Sequence, residues 1–480
     1  MTVLLLANVG NRDVQVPAHP ELPPAKEARA LGQVLLDNWD AYRDAIQTDI
    51  LIKALRWVVR KHGGVDRVIL VASDQTDERY RQTDTITIAQ VIERLLLEHR
   101  GSFEWAKAIG EVTIETLTAN PASYDEMTLF YDRLLPTIPV RHGDMVYLAV
   151  SGGTAAMAAM LLFKGIEHFQ AQAHPLYVNE YDAMPTSLNV GRRIMLNALV
   201  SDIRLSIGAY QYHAALRLVE ENADFLRQTI RNFDMLCAVI RYARARLNFD
   251  FTEAENALFG TDLDAQPEFA RALHDLVNDI TESNRTEAWL LREVLHTAEI
   301  SFRTGAYADF LGRAFRLSEG LTDAVLDRWA PADLFVTVSV QNSDGSSSSR
   351  KRLSEAWLTE HIDAWEFLEQ RKINLEIGLT RKTLLTLAEY FAGSNNSRRQ
   401  VVKYLNRIDE LGSYRNQMPF AHGYAGVSLE MLKARYKTNR DDEMLRNLVW
   451  LYEQCVGQAP GPNPYDAIND LILGLLQADA

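Results

Sequence analysis

The sequence predicts a Rossmann-like α/β domain with a mostly parallel sheet at the amino terminus and largely helical structure after it. The first 180 or so residues alternate short β-branched runs with longer helical patterns, which is typical of βαβ units. After about residue 189, apolar residues instead recur at spacings of three and four. A chain of 480 residues suggests about three domains. We place the α/β domain at residues 1–188, a helical middle region at 189–330 and a helical C-terminal domain at 331–480.

Five short segments in the first domain have the strand pattern: residues 3–9, 68–72, 112–117, 145–150 and 176–179. They are apolar almost throughout, which indicates strands covered by helices on both faces of the sheet. Helical patterns lie between them at residues 48–61, 85–98 and 154–169.

Helical periodicity continues through residues 222–246, 287–302 and 306–317. Residues 334–340 form one further strand candidate. The Ser/Gly-rich segment that follows, residues 341–352 (QNSDGSSSSRKR), predicts an exposed loop, either a hairpin-type insertion or a hinge near the last domain.

Composition excludes several classes of protein. The longest apolar run, residues 155–163, is far shorter than the about 20 residues of a transmembrane helix, so we expect no membrane insertion. The amino terminus predicts a first strand and not a signal peptide, which favours the cytoplasm. Two cysteines, Cys237 and Cys455, are too few for a disulfide framework or a four-thiolate zinc site. Because HExxH and paired CxxC motifs are also missing from the sequence, we predict no metal.

The charge is unevenly distributed. The chain carries a net charge of −14, but residues 350–440 contain 16 Lys and Arg against 10 Asp and Glu. This segment is the candidate polyanion binder, although solvated helices with a modest basic bias would give the same composition.

Three polar loops follow candidate strands, where an open α/β sheet places its ligand crevice. Loop 1 is residues 8–13, loop 2 is residues 73–76 and loop 3 is residues 151–157. In loop 3, two glycines and the start of a helix favour an anion or a nucleotide, because backbone N–H groups point at the ligand. An ordinary strand-to-helix turn with Thr154 as N-cap explains the same residues. Neither the Lys of a P-loop nor GxGxxG spacing is present. The candidate binding residues are Asn8, Gly10, Asn11, Arg12, Asp13, Asp74, Gln75, Ser151, Gly152, Gly153 and Thr154.

The basic segment contains Arg415-Asn416 followed, after five further residues, by His422. A guanidinium can hold a scissile phosphate and an imidazole can transfer protons near neutral pH, which suffices for metal-independent RNA cleavage by the ribose 2′-hydroxyl. Similar spacings occur at Arg56/His62 and at Arg94/His99. Both of these lie on predicted crossover helices, so we interpret them as structural.

In their order and separation, the motifs GNRD at residues 10–13, VASDQ at 71–75, AVSGGTAAM at 149–157 and RNQMPFAHG at 415–423 resemble one family. It is the family of CARF and HEPN ribonucleases that accompany type III CRISPR systems. The resemblance covers about the first 185 residues and the last 100 to 150. The candidate HEPN motif has six residues between Arg and His, at the long end of the family's range, and Pro419 within this gap departs from the family pattern.

The resemblance implies a CARF sensor domain at 1–188 joined to a HEPN nuclease domain at 331–480. It implies a homodimer whose activator, cyclic tetra-adenylate or cyclic hexa-adenylate, lies across both sensors, with a composite nuclease site acting on single-stranded RNA. His422 would transfer protons, Arg415 would contact the phosphate and Asn416 would orient the motif. Thr154 or Asn11 could take part in cleavage of the activator. No other cofactor is implied.

Two other readings remain open on the residues alone. The chain could be a non-catalytic ligand sensor whose basic C-terminal helices bind nucleic acid. It could also be a nucleotide-dependent α/β enzyme acting on a small substrate, which would leave nearly 300 helical residues unexplained.

Overall fold

The computed structural model describes residues 1–48, 50–141, 143–179, 181–259, 261, 267–341, 347–375, 378–412 and 426–477. The chain forms two compact units, Met1–Ser201 and Asp202–Ala480. The finer division at residues 188 and 330 remains a prediction.

A six-stranded sheet forms the centre of the first unit. Its strands are β1 (Val3–Asn8), β2 (Val65–Ser73), β3 (Ile109–Leu117), β4 (Met145–Ala149), β5 (Ala173–Tyr177) and β6 (Thr186–Ser187). The spatial order is β3-β2-β1-β4-β5-β6, and every neighbouring pair is parallel except the last. The predicted mostly parallel sheet is therefore confirmed, and β6 is an antiparallel edge strand that the sequence pattern does not reveal.

Helices cover this sheet on both faces. They are α1 (Ala28–Asp37), α2 (Trp39–Tyr42), α3 (Ile50–His62), α4 (Ile86–Glu98), α5 (Tyr124–Leu134) and α6 (Ala155–Phe169). Side chains alternate across a strand, so Leu5 and Ala7 of β1 pack in one buried cluster, while Leu4 and Leu6 pack in a second. This is why the central strand is apolar from Val3 to Ala7.

Helix α7 (Val190–Gly208) spans the boundary between the two units, and helices dominate after it. They are α8 (Tyr212–Glu221), α9 (Ala223–Arg227), α10 (Phe233–Leu247), α11 (Phe251–Leu258), α12 (Pro267–Ile280), α13 (Glu287–Arg303), α14 (Tyr307–Trp329), α15 (Glu355–Glu360), α16 (Ile362–Gln370), α17 (Arg381–Ala392), α18 (Asn396–Asp409), α19 (Leu429–Tyr436), α20 (Glu443–Val456) and α21 (Pro464–Leu475). One buried cluster of this unit joins α13, α14, α17, α18 and α20.

Two predicted helices differ from the observed ones. The pattern at residues 222–246 is divided between α9 and α10, because a turn follows Arg227 in which the N–H groups of Thr229 and Ile230 both bond the carbonyl of Leu226. The pattern at 306–317 continues to Trp329, because Leu321 and Val325 extend the buried face of α14.

The predicted exposed loop at residues 341–352 is wrong over part of its length. Strands β7 (Phe335–Gln341) and β8 (Ser347–Leu353) pair as an antiparallel hairpin, with Phe335 opposite Leu353. The hairpin alternative is thus the observed one. Backbone pairing to β7 gives β8 its extended form, although its sequence SSSRKRL lacks the alternation of apolar residues that would signal a strand.

A buried ion network ties four helices of the second unit together. The guanidinium of Arg246 is fully buried and donates to the two carboxylate oxygens of Glu293, at 3.0 and 2.5 Å, and to Asp279 at 2.6 Å. The hydroxyl of Tyr465 donates to Glu293 at 3.2 Å. Removing one partner would leave an uncompensated charge inside the protein, so this network holds α10, α12, α13 and α21 in register.

Candidate functional site

The three predicted loops lie at the carboxyl edge of the sheet because their strands, β1, β2 and β4, are parallel neighbours. Loops 1 and 3 meet directly. A Cβ atom built on Gly10 would lie 3.1 Å from the backbone nitrogen of Gly153, and one built on Gly152 would overlap the carbonyl oxygen of Asn8. Glycine is required here because the two backbones pass too close for any side chain.

Buried polar side chains set the shape of loop 1. The hydroxyl of Tyr131, from α5, donates to the Oδ1 atom of Asn8, and both residues are buried. Asp13 is also buried, and its Oδ2 atom accepts the backbone N–H of Gly10 at 2.6 Å. Burial raises the pKa of Asp13 to about 6, although the N–H groups that it accepts, led by that of Gly10, oppose the shift. Asn8 and Asp13 therefore shape the loop from inside.

The outward part of loop 1 is different in character. Arg12 is exposed, and Gly10 and Asn11 are half-buried. A guanidinium on an accessible loop is suited to an anionic ligand, because it offers up to five N–H donors. These three residues are the part of loop 1 that a ligand can reach.

Loop 3 carries the start of α6. The Oγ atom of Thr154 accepts the N–H of Met157 at 3.2 Å, which is an N-cap, and its hydroxyl donates to the carbonyl of Pro121. Gly153 has φ +77°, a backbone conformation that favours glycine. Ser151 accepts the N–H of Val178 at 2.5 Å. The same turn therefore has both predicted features. Thr154 is the N-cap, and the positive end of the helix that starts there favours an anion.

Loop 2 is held by side chains on other segments. Asp74 pairs with Arg29 of α1, whose Nη2 also lies 3.4 Å from Asp84. The backbone N–H and the side-chain amide of Gln75 donate to the two oxygens of Asp84 at 2.8 and 2.9 Å. Asp74 and Gln75 therefore have intramolecular partners, and the structure does not bring their side chains to loop 3.

Sequence reasoning missed Tyr131, Arg29, Asp84 and Pro121. Tyr131 is 123 positions from Asn8 and Arg29 is 45 positions from Asp74, so no local spacing could have pointed to either contact. Asp84 immediately precedes Thr85, the N-cap of α4, and nothing in the sequence there indicates its bond to Gln75.

The candidate nuclease residues Arg415, Asn416 and His422 lie outside the described residues, between α18 and α19. The two similar spacings elsewhere have structural contacts. His62 bonds the hydroxyl of buried Tyr147 at 2.6 Å. Arg94 lies over the ring of Trp39, with its guanidinium carbon 4.4 Å from the centroid.

No group of His, Cys, Asp and Glu that could hold a metal ion occurs within the described ranges. In the same ranges, no helix is long and apolar enough to cross a membrane. Cys237 and Cys455 are both free thiols in the interior, and burial raises the pKa of Cys237 to about 11 and that of Cys455 to about 12. Neither thiol is poised to ionise near neutral pH.

Comparison with known proteins gives two findings. Residues 280–473 match the family model of the Cas_Csm6 HEPN domain. The fold is similar to that of Enterococcus italicus Csm6 bound to cyclic hexa-2′-fluoro-hexa-dAMP, with a TM-score of 0.62 and 12% sequence identity over 99% of each chain. Among curated proteins, none matches.

The fold therefore defines the class of this chain: an amino-terminal α/β unit with a mostly parallel sheet, followed by a helical unit in which residues 280–473 match the HEPN domain model. Within that class, the match is to Csm6, which confirms the resemblance to the CARF and HEPN proteins of type III CRISPR systems. The HEPN match begins at residue 280, inside the segment that we assigned to the middle region.

Proposed function

We propose that this chain is a type III CRISPR ancillary ribonuclease, in which a cyclic oligoadenylate binds the CARF domain and activates metal-independent cleavage of single-stranded RNA. One observation carries the proposal: a Csm6 HEPN match occurs in a chain whose whole length has the fold of a Csm6 bound to a cyclic adenylate analogue. The proposed setting is the cytoplasm. The proposed active form is a homodimer, because a two-fold assembly matches the symmetry of a cyclic oligoadenylate.

The binding site for the cyclic oligoadenylate would be the accessible part of loops 1 and 3. Gly10, Asn11 and Arg12 offer backbone and guanidinium donors, and loop 3 adds the positive end of α6. Loop 2 would support this binding site structurally, because Asp74 and Gln75 are already paired within the protein.

In the proposed reaction the ribose 2′-oxygen attacks the adjacent phosphorus and the bond from phosphorus to the 5′-oxygen breaks. The products are a 2′,3′-cyclic phosphate and a 5′-hydroxyl, so this step consumes no water. His422 would move the proton from the 2′-hydroxyl or to the leaving 5′-oxygen, Arg415 would offset charge on the phosphate, and Asn416 would orient the two. DNA lacks the attacking hydroxyl and would be inert.

The test uses a fluorophore-quenched single-stranded RNA with EDTA present. Purified protein is assayed alone, with cyclic tetra-adenylate and with cyclic hexa-adenylate, and an all-DNA reporter of the same sequence serves as the control. We expect RNA cleavage that one ring switches on and EDTA leaves unchanged. Binding of a duplex DNA without any RNA turnover would instead favour a non-catalytic regulator.

A further inference from the structure

We propose that a groove beside the β7–β8 hairpin binds single-stranded RNA as a site for substrate capture, apart from the sequence that carries Arg415 and His422. The groove has a volume of about 940 Å³ and is formed by β8, α15, α16 and the segment leading to α17. The residues that carry the proposal are Lys351, Arg352, Glu355, Leu358, Ile362 and Trp365. The choice of RNA as occupant rests on the proposed function.

The groove exposes large apolar side chains. Trp365 is 43% exposed and Ile362, three residues before it on α16, is 63% exposed. Residues three apart share one face of a helix, so the two form one apolar strip. Exposed apolar surface with a polar rim marks a place where another molecule docks.

Two cations lie in the same groove. Arg352 is exposed and has no ion pair in the part of the chain that the structure describes. Lys351 lies 3.4 Å from Asp327, and its ammonium is 4.4 Å from the ring centroid of Phe335.

Other cations of the basic segment are engaged by carboxylates. Arg371 pairs with Glu389 at 2.6 Å, and Arg407 lies 3.3 Å from Glu443. These two arginines are therefore already paired, whereas Arg352 is available to a phosphate.

An accessible indole beside an exposed, unpaired arginine is the combination that single-stranded nucleic acid uses. Bases stack on aromatic rings while phosphates contact Lys and Arg, and neither contact depends on sequence. A duplex cannot use such a platform, because its bases are already stacked. The volume is near the upper end of the about 300–1,000 Å³ of small-molecule pockets, which suits more than one nucleotide. Glu355 is the opposing charge in the lining.

The experiment measures binding separately from cleavage. Full-length protein without activator is titrated into a fluorescein-labelled single-stranded RNA that carries 2′-O-methyl groups and cannot be cleaved, and anisotropy gives the affinity. We expect Trp365→Ala to weaken binding about tenfold or more, Trp365→Phe to restore most of the loss and Glu355→Gln to tighten binding. The control is Phe259→Ala, which removes a ring that is 89% exposed and lies outside the groove.

A salt titration tests the cation independently. Losing one phosphate contact lowers the slope of log affinity against log salt by about 0.7 for a single strand, so Arg352→Gln should show that decrease. Arg217→Gln is the matched control, since Arg217 is an exposed arginine on α8 that pairs with Glu221. Thermal denaturation checks that each variant is folded.

Unchanged affinity in Trp365→Ala together with an unchanged slope in Arg352→Gln would overturn the proposal. A change in sedimentation with unchanged RNA affinity would also overturn it, because the groove would then be a protein contact. In the cleavage assay, groove variants should raise KM for RNA more than they lower kcat. If neither ring induces cleavage but the groove variants lose RNA binding, the proposed nuclease activity fails while the groove assignment stands.

Discussion

The contact between loops 1 and 3 predicts a large effect of a single methyl group at Gly152. A Cβ atom there would overlap the carbonyl oxygen of Asn8 and lie 3.1 Å from its carbonyl carbon. Carbon and oxygen ordinarily approach to about 3.3 Å or more, so Gly152→Ala must push β1 and loop 3 apart. The obstacle is backbone in a buried strand, which cannot rotate away as a side chain could.

Overpacking of this kind costs about 1–3 kcal/mol. For a domain the size of Met1–Ser201, each kcal/mol lowers the melting temperature by about 2–4 °C, so we expect a decrease of about 2–12 °C. The displaced loops should also weaken binding of the proposed activator, a cyclic oligoadenylate. Scanning calorimetry and a ligand titration measure the two effects.

Gly208→Ala is the matched control. Gly208 ends α7, and a Cβ atom on it would meet nothing within 4 Å, so neither quantity should decrease. If Gly152→Ala melts at the wild-type temperature and binds the ring with wild-type affinity, the close approach of the two backbones is refuted.

Two buried groups and one proposed catalytic group give three further predictions. The pKa of Asp13 is higher in the folded state than in the unfolded chain, so the unfolded carboxyl ionises first and the folded state loses stability as pH rises from about 4 to about 6. Relative to wild type, Asp13→Asn should therefore gain up to about 3 kcal/mol in free energy of unfolding across that range. Denaturant titrations at several pH values measure this difference. Glu293→Gln removes one of the two carboxylates that pair with the buried Arg246 and should cost about 3–5 kcal/mol in the same measurement, whereas Arg217→Gln at an exposed pair should leave the denaturation midpoint unchanged. His422→Ala should abolish activator-dependent RNA cleavage while ring binding and sedimentation stay at wild-type values; undiminished cleavage would remove His422 from the proposed mechanism.

The parallel sheet could be predicted because burial on both faces leaves a direct record in the sequence. Strands β1, β2 and β4 are runs of apolar residues, and the turns after them contain the polar and glycine residues of the loops. Strand β8 has no such apolar run in its sequence. Its residues are Ser, Arg and Lys, and its conformation depends on pairing with β7, which is a long-range property.

The loops could be located from the sequence, but the roles of their side chains could not. Asn8 and Asp13 look like ligand-binding residues in a linear motif, yet both are buried and bonded to protein groups. A polar side chain after a strand can face the crevice or the interior, and partners such as Tyr131 decide which. Tyr131 is far from Asn8 in the sequence, so the sequence pattern does not reveal this contact.

These interior contacts also bear on how the first unit would respond to a ligand. Loop 1 is held by Asp13 and Tyr131, and loop 3 by its N-cap and the bond from Val178 to Ser151. When the loops of a binding site are already ordered, ligand binding does not incur the entropy cost of ordering them. More of the contact energy then appears as affinity. The proposed activating signal then need not come from ordering of these loops. A ring that activates the protein must therefore make different contacts in two arrangements of the rest of the assembly, since only a difference in affinity shifts such an equilibrium.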